Sequence, residues 1–569
     1  MSYKKLLFVF VFVFLVSVTV SQSSDSSWDS EPEYFTVYQN PSNGGFIVKP
    51  VKDQTGIAYA AYSNDMNITG WGYLSLTTNK QFPDLLQASA AGYLEGYITQ
   101  SMIWQNWVNM YVNEYTSSIS EPVQNWMADN VAYMAQQYGA YSGLESSTDT
   151  DAFNQTYWSH VQLVMTQMIS MVDGYNNATT DSSQYLDVLA FMLMNSDGDM
   201  IDLGPALNLT NGGGSSSAEE QKSLKERLNV WIRKTGHCSA LIKLTDDLSD
   251  LYSGHTTWSS YYEMVRIFKI YTFQFTQTYS HSNTVLFSSY PATLTSVDDF
   301  YLLDSKLVVI ETTNGIINAD NALYYLIKPQ SILSWIRVMV SNRLATGGNE
   351  WCEIFSVQNS GTYNNQWIIV DYNKFTPYKN LANGGLFILE QLPGYIEFTD
   401  ATAILRESHW GSYNIPFFEN VYNMSGFNNT AQYGNWFSYV SSPRAEIFRR
   451  DAGNIHDFKD FKDMLRYNNW QQDPLSLGNA GNQISSRFDL VTEDDPTNPF
   501  LNPGAFGGID SKVVNYFQVD RLQVSAQSGP SHDSEKPFRW DVKEWEGITH
   551  AGQPDVWDFD WVDFTYSDN

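Results

Sequence analysis

Residues 235–243 read Thr-Gly-His-Cys-Ser-Ala-Leu-Ile-Lys, and this stretch decides how the fold is interpreted. The apolar run that begins at Cys238 predicts a buried strand. Residues 245–247 (Thr-Asp-Asp) predict a turn, and residues 250–258 predict the returning strand of a hairpin. Cys238 therefore heads a buried strand, where its thiol is placed to attack the carbonyl group of His237.

An attack by this thiol has a specific chemical consequence. The acyl group of His237 moves from nitrogen to sulfur, and water hydrolyses the resulting thioester, so that Cys238 becomes a new N-terminus. An unperturbed α-amine has a pKa of about 7.7–8.0, against about 8.5 for a thiol, and can act as a local base. The sequence therefore predicts self-cleavage between these two residues and a cysteine nucleophile.

Residues 1–21 have the pattern of a secretory signal peptide. Two lysines precede the apolar run Leu6–Val16, which is too short for a comfortable transmembrane helix. Thr19 and Ser21 suit the −3 and −1 positions of a cleavage site, so we expect the mature chain to begin near Gln22. An uncleaved membrane anchor is the alternative. No later stretch has the roughly 18 apolar residues that span a bilayer.

Charge and glycosylation signals agree with export to a secreted or lysosomal location. The net charge of −30 disfavours nucleic-acid partners and simple electrostatic docking on anionic membranes, while transient contact with a lipid surface stays open. Such an acidic surface suits low pH, and the alternative is that it only keeps the chain soluble. The Asn-x-Ser/Thr acceptor pattern occurs at Asn67, Asn154, Asn177, Asn208, Asn423 and Asn428.

The chain divides around a flexible polar segment. Residues 22–209 are predicted to form a smaller chain of strands and helices. Residues 210–237 contain the run Asn-Gly-Gly-Gly-Ser-Ser-Ser and are predicted to be an excisable linker, with an ordinary surface loop as the alternative. Residues 238–569 are predicted to form a larger chain, which builds one composite domain together with the smaller one.

Local patterns predict the elements on both sides of this boundary. Strands are expected at 34–38 and 56–62, and Asp84 is expected to cap the first helix. The tail beyond Asn468 is expected to consist mostly of loops that wrap the body. Further helices are expected at 122–138, 151–172 and 261–271, and further strands at 283–289, 302–311, 351–358 and 366–371.

Cys238 and Cys352 are the two cysteines of the chain. A disulfide between them is one interpretation for a secreted protein, but a core of this size need not depend on such a bridge. We expect two free thiols, with Cys352 buried and inert on the predicted strand 351–358.

Other catalytic patterns are missing from the sequence. No G-x-S-x-G elbow, H-E-x-x-H pair, C-x-x-C motif or phosphate-binding loop occurs. Residues 195–202 superficially suggest a calcium loop, but they lack the glycine position and terminal glutamate of an EF-hand and are predicted to form a turn. We therefore expect neither a metal nor a cofactor.

Several stretches carry a resemblance to a known family. The segment 235–243 closely resembles the processing site of the phospholipase B-like family. The resemblance implies an α+β fold, the αββα sandwich of N-terminal nucleophile hydrolases, with helical N-terminal additions and a loop-rich C-terminal wrap. It also implies self-cleavage ahead of Cys238 and removal of fatty acids from glycerophospholipids, although this chain cannot form the disulfides that the family can carry. Further matching segments are 90–96, 253–258, 311–314, 359–367, 412–416, 442–445 and 507–512.

Chemistry suggests partners for the nucleophile on the same hairpin. His255 follows Cys238 by 17 residues and is expected to polarise the acyl carbonyl or position the thiolate, with a structural core histidine as the alternative. Thr257 and Trp258 are expected to order the same pocket.

Acyl transfer also needs hydrogen-bond donors for the developing oxyanion. Asn359 or Asn364 is expected to supply one, although the residues around them also favour a turn. Arg444 is expected to hold a substrate phosphate or to orient the new amine, with a structural ion pair as the alternative. Weaker donor candidates, at the end of a predicted strand, are Thr313 and Asn314.

The predicted function is that of a phospholipase B-like acyl hydrolase that acts on a phospholipid or another acylated small molecule. An amidase acting on N-acyl or peptide-like amides is the first alternative, because the same apparatus cleaves amides. A non-catalytic lysosomal or secreted glycoprotein, whose only reaction is its own processing, is the second. Head-group preference, acyl-chain preference and oligomeric state are left open.

Overall fold

The computed structural model describes residues 31–114, 119–141, 148–210, 237–317, 322–431, 434–492 and 503–567. Within these ranges the chain folds into two large sheets and 13 α-helices, a mixed α+β architecture. The predicted signal peptide lies outside the described residues, as does the predicted linker except for its first and last residues.

The elements come in runs along the chain: four strands, six helices and six strands are followed by shorter mixed groups. The strands are β1 (Glu33–Gln39), β2 (Phe46–Lys49), β3 (Ala58–Asp65), β4 (Trp71–Thr78), β5 (His237–Leu244), β6 (Leu251–Ser260), β7 (Ile267–Thr272), β8 (Thr284–Ser289), β9 (Phe300–Leu303), β10 (Leu307–Thr313), β11 (Asn365–Asp371), β12 (Leu386–Leu392), β13 (Tyr395–Asp400), β14 (His409–Ser412), β15 (Phe506–Gly508), β16 (Asp510–Asn515), β17 (Gln523–Ser528), β18 (Phe538–Arg539), β19 (Val556–Trp557) and β20 (Val562–Thr565). The helices are α1 (Asp84–Ile98), α2 (Gln100–Glu114), α3 (Glu121–Tyr141), α4 (Asp149–Ala178), α5 (Val188–Asn195), α6 (Asp197–Thr210), α7 (Ser334–Leu344), α8 (Gly348–Ser356), α9 (Thr402–Glu407), α10 (Glu419–Met424), α11 (Pro443–Asp451), α12 (Phe458–Leu465) and α13 (Tyr516–Arg521).

The larger sheet contains eleven of the described strands, in the order β13-β12-β11-β10-β9-β8-β7-β4-β3-β1-β2. Its neighbouring strands are antiparallel except for β4 and β7, which are parallel. This one parallel contact among the described strands joins a strand that precedes residue 237 to a strand that follows it. Segments on the two sides of the predicted cleavage bond therefore share one sheet.

The smaller sheet runs in the order β14-β5-β6-β16-β17-β20, with β15 paired to β6. Its inner strand β5 carries Cys238. The two sheets face each other: Phe268 of β7 stacks on Phe564 of β20 with ring centroids 3.9 Å apart. At the other end, the hydroxyls of Thr312 and Ser412 lie 2.6 Å apart across the same interface. The smaller sheet, which includes β5, therefore packs against the larger one.

Helices α1 and α4 pack against each other so closely that glycine is required at their contact. A Cβ atom on Gly92 would lie 1.9 Å from the carbonyl oxygen of Gln167. Glu95 of α1 also forms a fully buried ion pair with Lys269 of β7 at 2.7 Å, which fixes the helix pair to the larger sheet. Within the described ranges, no helix combines the length and the apolarity that crossing a membrane requires.

The predicted hairpin and most of the predicted strands are confirmed, but three local predictions are wrong. Residues 351–358 belong mainly to helix α8, because Trp351 and Phe355 stack one helical turn apart at 4.9 Å. Residues 261–271 form a short 3₁₀ turn and then β7, whose burial on both faces leaves no alternation to recognise. Residues 195–202 enter helix α6 instead of a turn, with acidic residues in its first turn as the helix dipole favours.

Three further differences are smaller. The predicted strand 302–311 is a hairpin of β9 and β10, with Lys306 in the left-handed region at φ 63°. Asp84 does not cap its own helix; its carboxylate accepts N–H groups from residues 276–278 instead. The tail beyond Asn468 has many loops, but it also supplies β15, β16, β17 and β20 to the smaller sheet.

A buried carboxyl group makes folding stability depend on pH. Burial raises the pKa of Glu390 to about 7. Because this value lies above that of the unfolded chain, the folded chain binds the extra proton, and its stability falls as pH rises from about 4 to 7. We expect Glu390→Gln to reduce this fall by on the order of 3 kcal/mol, as measured by urea unfolding at about pH 5 and pH 7.5. An unchanged pH dependence, or the same change in the exposed control Glu544→Gln, would contradict this expectation.

Candidate active site

The antiparallel register of β5 and β6 brings three of the predicted site residues together. Cys238 lies directly opposite Thr257, and Ala240 lies opposite His255. Opposite residues of an antiparallel pair, and residues two apart on one strand, share a face of the sheet. Thr257 is therefore the direct neighbour of Cys238, and His255 is its diagonal neighbour.

The backbone of Cys238 is held by two buried side chains. Its N–H donates to Oδ1 of Asn414 at 3.0 Å, and its carbonyl oxygen accepts from Nη1 of Arg444 at 2.6 Å. Nη1 of Arg444 also donates to that Asn414 oxygen at 2.9 Å, while Nδ2 of Asn414 donates to the carbonyl oxygen of Thr313 at 2.8 Å. The nitrogen that self-cleavage would free is thus already fixed in place.

The thiol of Cys238 lies in an enclosed site, with the residue only 3% exposed. Burial raises its pKa well above the ordinary value, the Glu311 carboxyl raises it further, and the charge of Lys512 opposes them. The uncleaved chain therefore keeps this sulfur protonated at neutral and acidic pH.

Four fully buried charges lie next to Thr257. Nζ of Lys512 donates to Oγ1 of Thr257 at 2.6 Å and contacts the carboxylates of Asp298 at 2.9 Å and Asp510 at 2.7 Å. Arg266 pairs with the same two carboxylates, at 2.8 Å from Asp510. Two cations balance two anions, so this four-charge cluster is neutral overall and fixes Thr257, the cross-strand neighbour of Cys238.

His255 is completely buried, and its Nδ1 lies 3.4 Å from Oγ1 of Thr257. Burial and the nearby charge of Lys512 hold the pKa of His255 well below its usual range. Its imidazole is therefore neutral even in mildly acidic solution. The position fits the predicted neighbourhood, and the catalytic role of His255 stays a prediction.

The side-chain amides of the two predicted oxyanion donors, Asn359 and Asn364, are already hydrogen-bonded to the backbone. Nδ2 of Asn359 and Nδ2 of Asn364 each donate to a backbone carbonyl oxygen, at 3.0 and 2.9 Å. The next residue, Asn365, is fully buried, and its amide has no partner among the described residues. Asn365 lies opposite Thr313 in the sheet, and the carbonyl oxygen of Thr313 accepts from Asn414, which holds the backbone nitrogen of Cys238. Oxyanion roles for Asn359 and Asn364 stay predictions.

Arg444 contacts the backbone of Cys238 and lies 95% buried. Its guanidinium stacks over the ring of Trp258 at 4.3 Å, and it donates to the backbone carbonyl oxygens of Cys238 and Tyr413. Within the described part of the chain it forms no ion pair. These contacts suit the predicted role of orienting an N-terminus at Cys238 better than that of holding a substrate phosphate, and the role stays a prediction.

Sequence reasoning missed several groups at this site. Glu311, Asn414 and Lys512 lie inside three of the family-matching segments, but none of them was singled out. Arg266 and Asp298 have no local signal for a role near the thiol, because only folding brings them close to it.

Both cysteines are free thiols, so the chain carries no bridge between Cys238 and Cys352. Cys352 is completely buried on α8. The described ranges contain no group of His, Cys, Asp and Glu side chains that could hold a metal ion.

The predicted glycosylation sites differ in exposure. Asn67, Asn177, Asn423 and Asn428 are exposed, and Asn154 is half-buried. The side chain of Asn208 lies outside the described part of the structure. Glycosylation at all six stays a prediction.

The sequence matches the family model described as Phospholipase B over residues 58–564, and the chain belongs to that family. It is 56% identical to phospholipase B-like protein A of Dictyostelium discoideum over 537 residues, which cover 93% of this chain and 91% of that relative. It is 40% identical to phospholipase B-like 2 of Mus musculus over 88% of this chain and 84% of the mouse protein. It is 38% identical to the human phospholipase B-like 2, over 92% and 88% respectively.

Proposed function

We propose that this chain matures by cleaving its own His237–Cys238 bond and then removes fatty acids from glycerophospholipids. The observation that carries the proposal is the setting of Cys238. An enclosed thiol stands at the head of β5, and Asn414 holds the backbone nitrogen of the same residue at 3.0 Å. The names of the relatives, which are phospholipase B-like proteins, support the lipid substrate class.

The proposed fold is that of an N-terminal nucleophile hydrolase. Two facing sheets support this assignment, as does the contact of helix α1 with β3 and β4 and of α12 with β6. Cys238 occupies an inner strand of the smaller sheet. The parallel β4–β7 pair supports a composite domain, which stays assembled when residues near 237 are cut.

The maturation step is an acyl shift followed by hydrolysis. The sulfur of Cys238 bonds to the carbonyl carbon of His237, the C–N bond breaks, and the thiol proton ends on the departing nitrogen. Water then hydrolyses the thioester, which leaves a carboxylate on His237 and restores the thiol. Cys238 now carries an α-amine whose position Asn414 already fixes.

Turnover uses the same sulfur. The α-amine accepts the thiol proton, the sulfur attacks the ester carbonyl, and the alcohol leaves with that proton. Water hydrolyses the acyl-enzyme and releases a fatty acid. The unused amide of Asn365 and the neutral His255 are the groups proposed to stabilise the developing oxyanion.

Sequencing of the mature protein tests the maturation step. The larger fragment, residues 238–569, is expected to begin Cys-Ser-Ala-Leu-Ile-Lys. An intact 237–238 bond in the mature glycoprotein would overturn the mechanism.

A matched pair of substrates tests the reaction. A diacyl glycerophospholipid and an N-acyl amide with the same acyl chain are compared with the matured protein at one acidic pH, and the ester is expected to be cleaved faster. Faster cleavage of the amide would favour the amidase alternative. Release of fatty acid from neither substrate would favour a glycoprotein whose only reaction is its own processing.

A further inference from the structure

Glu390 is a fully buried residue of β12 whose side chain faces the smaller sheet. In the register of the larger sheet, Thr312, Gln366 and Glu390 lie side by side on β10, β11 and β12. The hydroxyl of Thr312 contacts that of Ser412 in the smaller sheet, and Oε1 of Gln366 accepts from the indole N–H of Trp410 at 3.3 Å. The register therefore places Glu390 on the side of β12 that faces β14.

Four donors converge on the carboxylate of Glu390. Its Oε1 accepts from the backbone N–H of Phe417 at 2.7 Å, from Nε2 of Gln366 at 2.7 Å and from Nδ2 of Asn314 at 3.1 Å. Its Oε2 accepts from the backbone N–H of Phe418 at 3.1 Å. An ionised carboxylate can accept all four bonds at once, because it carries no hydrogen of its own.

These bonds join the two segments that hold the backbone nitrogen of Cys238. Asn414 accepts from that N–H through Oδ1, and it donates through Nδ2 to the carbonyl oxygen of Thr313. Glu390 bonds the residue after Thr313 and also the third and fourth residues after Asn414. Glu390 and Asn414 therefore tie the same two segments together, a few residues apart.

Asn414 adopts a backbone conformation that its surroundings must maintain. Its φ is 66°, in the left-handed region that residues other than glycine adopt infrequently. The same Oδ1 atom that holds the nitrogen of Cys238 also accepts from Arg444 at 2.9 Å. A shift of the 413–418 segment would therefore move the oxygen that fixes this nitrogen.

We propose that Glu390 is a positioning residue for self-cleavage: by holding the 413–418 segment, it keeps Asn414 in place and so fixes the nitrogen of the bond that breaks. The sulfur of Cys238 and the carbonyl carbon of His237 must meet in one geometry, and a displacement of about 1 Å can cost about 10²-fold in rate. Glu390 acts through Asn414, since its own hydrogen bonds go to other groups. The inference rests on the proposed self-cleavage and adds a residue to it.

Ionisation of Glu390 gives this role a signature. Burial raises the pKa of its carboxyl group to about 7, and its hydrogen bonds oppose that rise. A protonated carboxyl points its O–H at one of its own four donors and loses a bond, so the segment is held most firmly above about pH 7. The titratable groups that face Glu390 are Glu397, opposite it on β13, and Tyr439, whose pKa burial holds above its usual value.

Conversion of purified uncleaved chain into two fragments, followed by denaturing electrophoresis, tests the inference. At about pH 8, Glu390→Gln is expected to slow conversion by about 10-fold or more, because the glutamine NH₂ group cannot accept the bonds that the carboxylate accepts. At about pH 5 the two chains are expected to differ little, since both then carry an uncharged group at this position. Equal rates at the higher pH, or a ratio of rates that is the same at both, would overturn the proposal.

Asp84→Asn is the matched control. The Asp84 carboxylate is also buried and also accepts backbone N–H groups, those of residues 276–278, but it lies at the start of α1. This variant loses comparable buried hydrogen bonds and is expected to convert at the wild-type rate. Equal slowing in both variants would mean that Glu390 acts only through general stability, and it would overturn the proposal.

Hydrogen exchange measures the positioning without any self-cleavage. In a Cys238→Ala chain, which is expected to stay uncleaved, the backbone N–H of position 238 can still donate to Asn414. Adding Glu390→Gln is expected to make this N–H exchange about tenfold faster at about pH 8, and adding Asp84→Asn is expected to leave it unchanged. Unchanged exchange at position 238 in the Glu390→Gln chain would overturn the proposal. Faster exchange, together with a wild-type chain that never cleaves itself, would support Glu390 as the group that fixes this nitrogen and would count against the proposed maturation.

Discussion

A chain carrying Cys238→Ala is expected to remain one polypeptide and to release no fatty acid. Alanine removes the sulfur that attacks the His237 carbonyl, and it removes the same sulfur from turnover. Loss of a nucleophile that acts with its base costs on the order of 10⁴-fold or more in kcat. Denaturing electrophoresis and fatty-acid release at acidic pH measure the two effects on one preparation.

Two variants serve as controls for this experiment. Cys352→Ala removes the other buried thiol, which lies on α8 and away from the site, and it is expected to mature normally. Cys238→Ser keeps a weaker nucleophile and is expected to mature slowly instead of not at all. Cutting of the Cys238→Ala chain at the same bond would show that an external protease matures the protein.

The hairpin that carries Cys238 is the part of the fold that local sequence specifies best. The local signals are a continuous apolar run from Cys238 and a polar turn at 245–247. The structure confirms both, because the run forms β5 and the turn lies between β5 and β6. Helix α8 was mistaken for a strand because a short apolar run has no unique period. In the structure Trp351 and Phe355 stack one helical turn apart, and Ser356 donates to the carbonyl oxygen of Cys352 four residues earlier.

The surroundings of the thiol could not be predicted in the same way. Arg266, Asp298 and Lys512 come from three separate segments, and their opposite charges meet only when the two sheets face each other. Asn414 was visible as part of a family-like segment. Only the structure shows what Asn414 contacts: it accepts from the backbone N–H of Cys238 and donates to the carbonyl oxygen of Thr313. Contacts between residues that are far apart in the chain leave no periodic pattern in a single sequence. Such groups therefore cannot be predicted from the residues around them.

Replacement of Arg266 by methionine is expected to destabilise the folded chain by about 3–5 kcal/mol, the usual cost of breaking a buried ion pair. The guanidinium pairs with Asp298 and Asp510, and all of these side chains are fully buried. Without it, two carboxylates face Lys512 alone, and the cluster keeps an uncompensated negative charge away from water. Urea unfolding of the uncleaved chain measures the loss, and the exposed pair Arg539–Asp541 supplies Arg539→Met as a control with little expected effect.

The double variant Arg266→Met/Asp298→Asn decides whether charge balance is the cause. It removes one cation and one anion, so the remaining Lys512 and Asp510 are again balanced. We therefore expect the double variant to be more stable than the sum of its two single variants predicts, because residues in one network couple. Simple addition of the two losses would mean that Arg266 stabilises the fold through packing, for which its contacts with the rings of Trp71 at 4.9 Å and Tyr290 at 4.5 Å would be responsible.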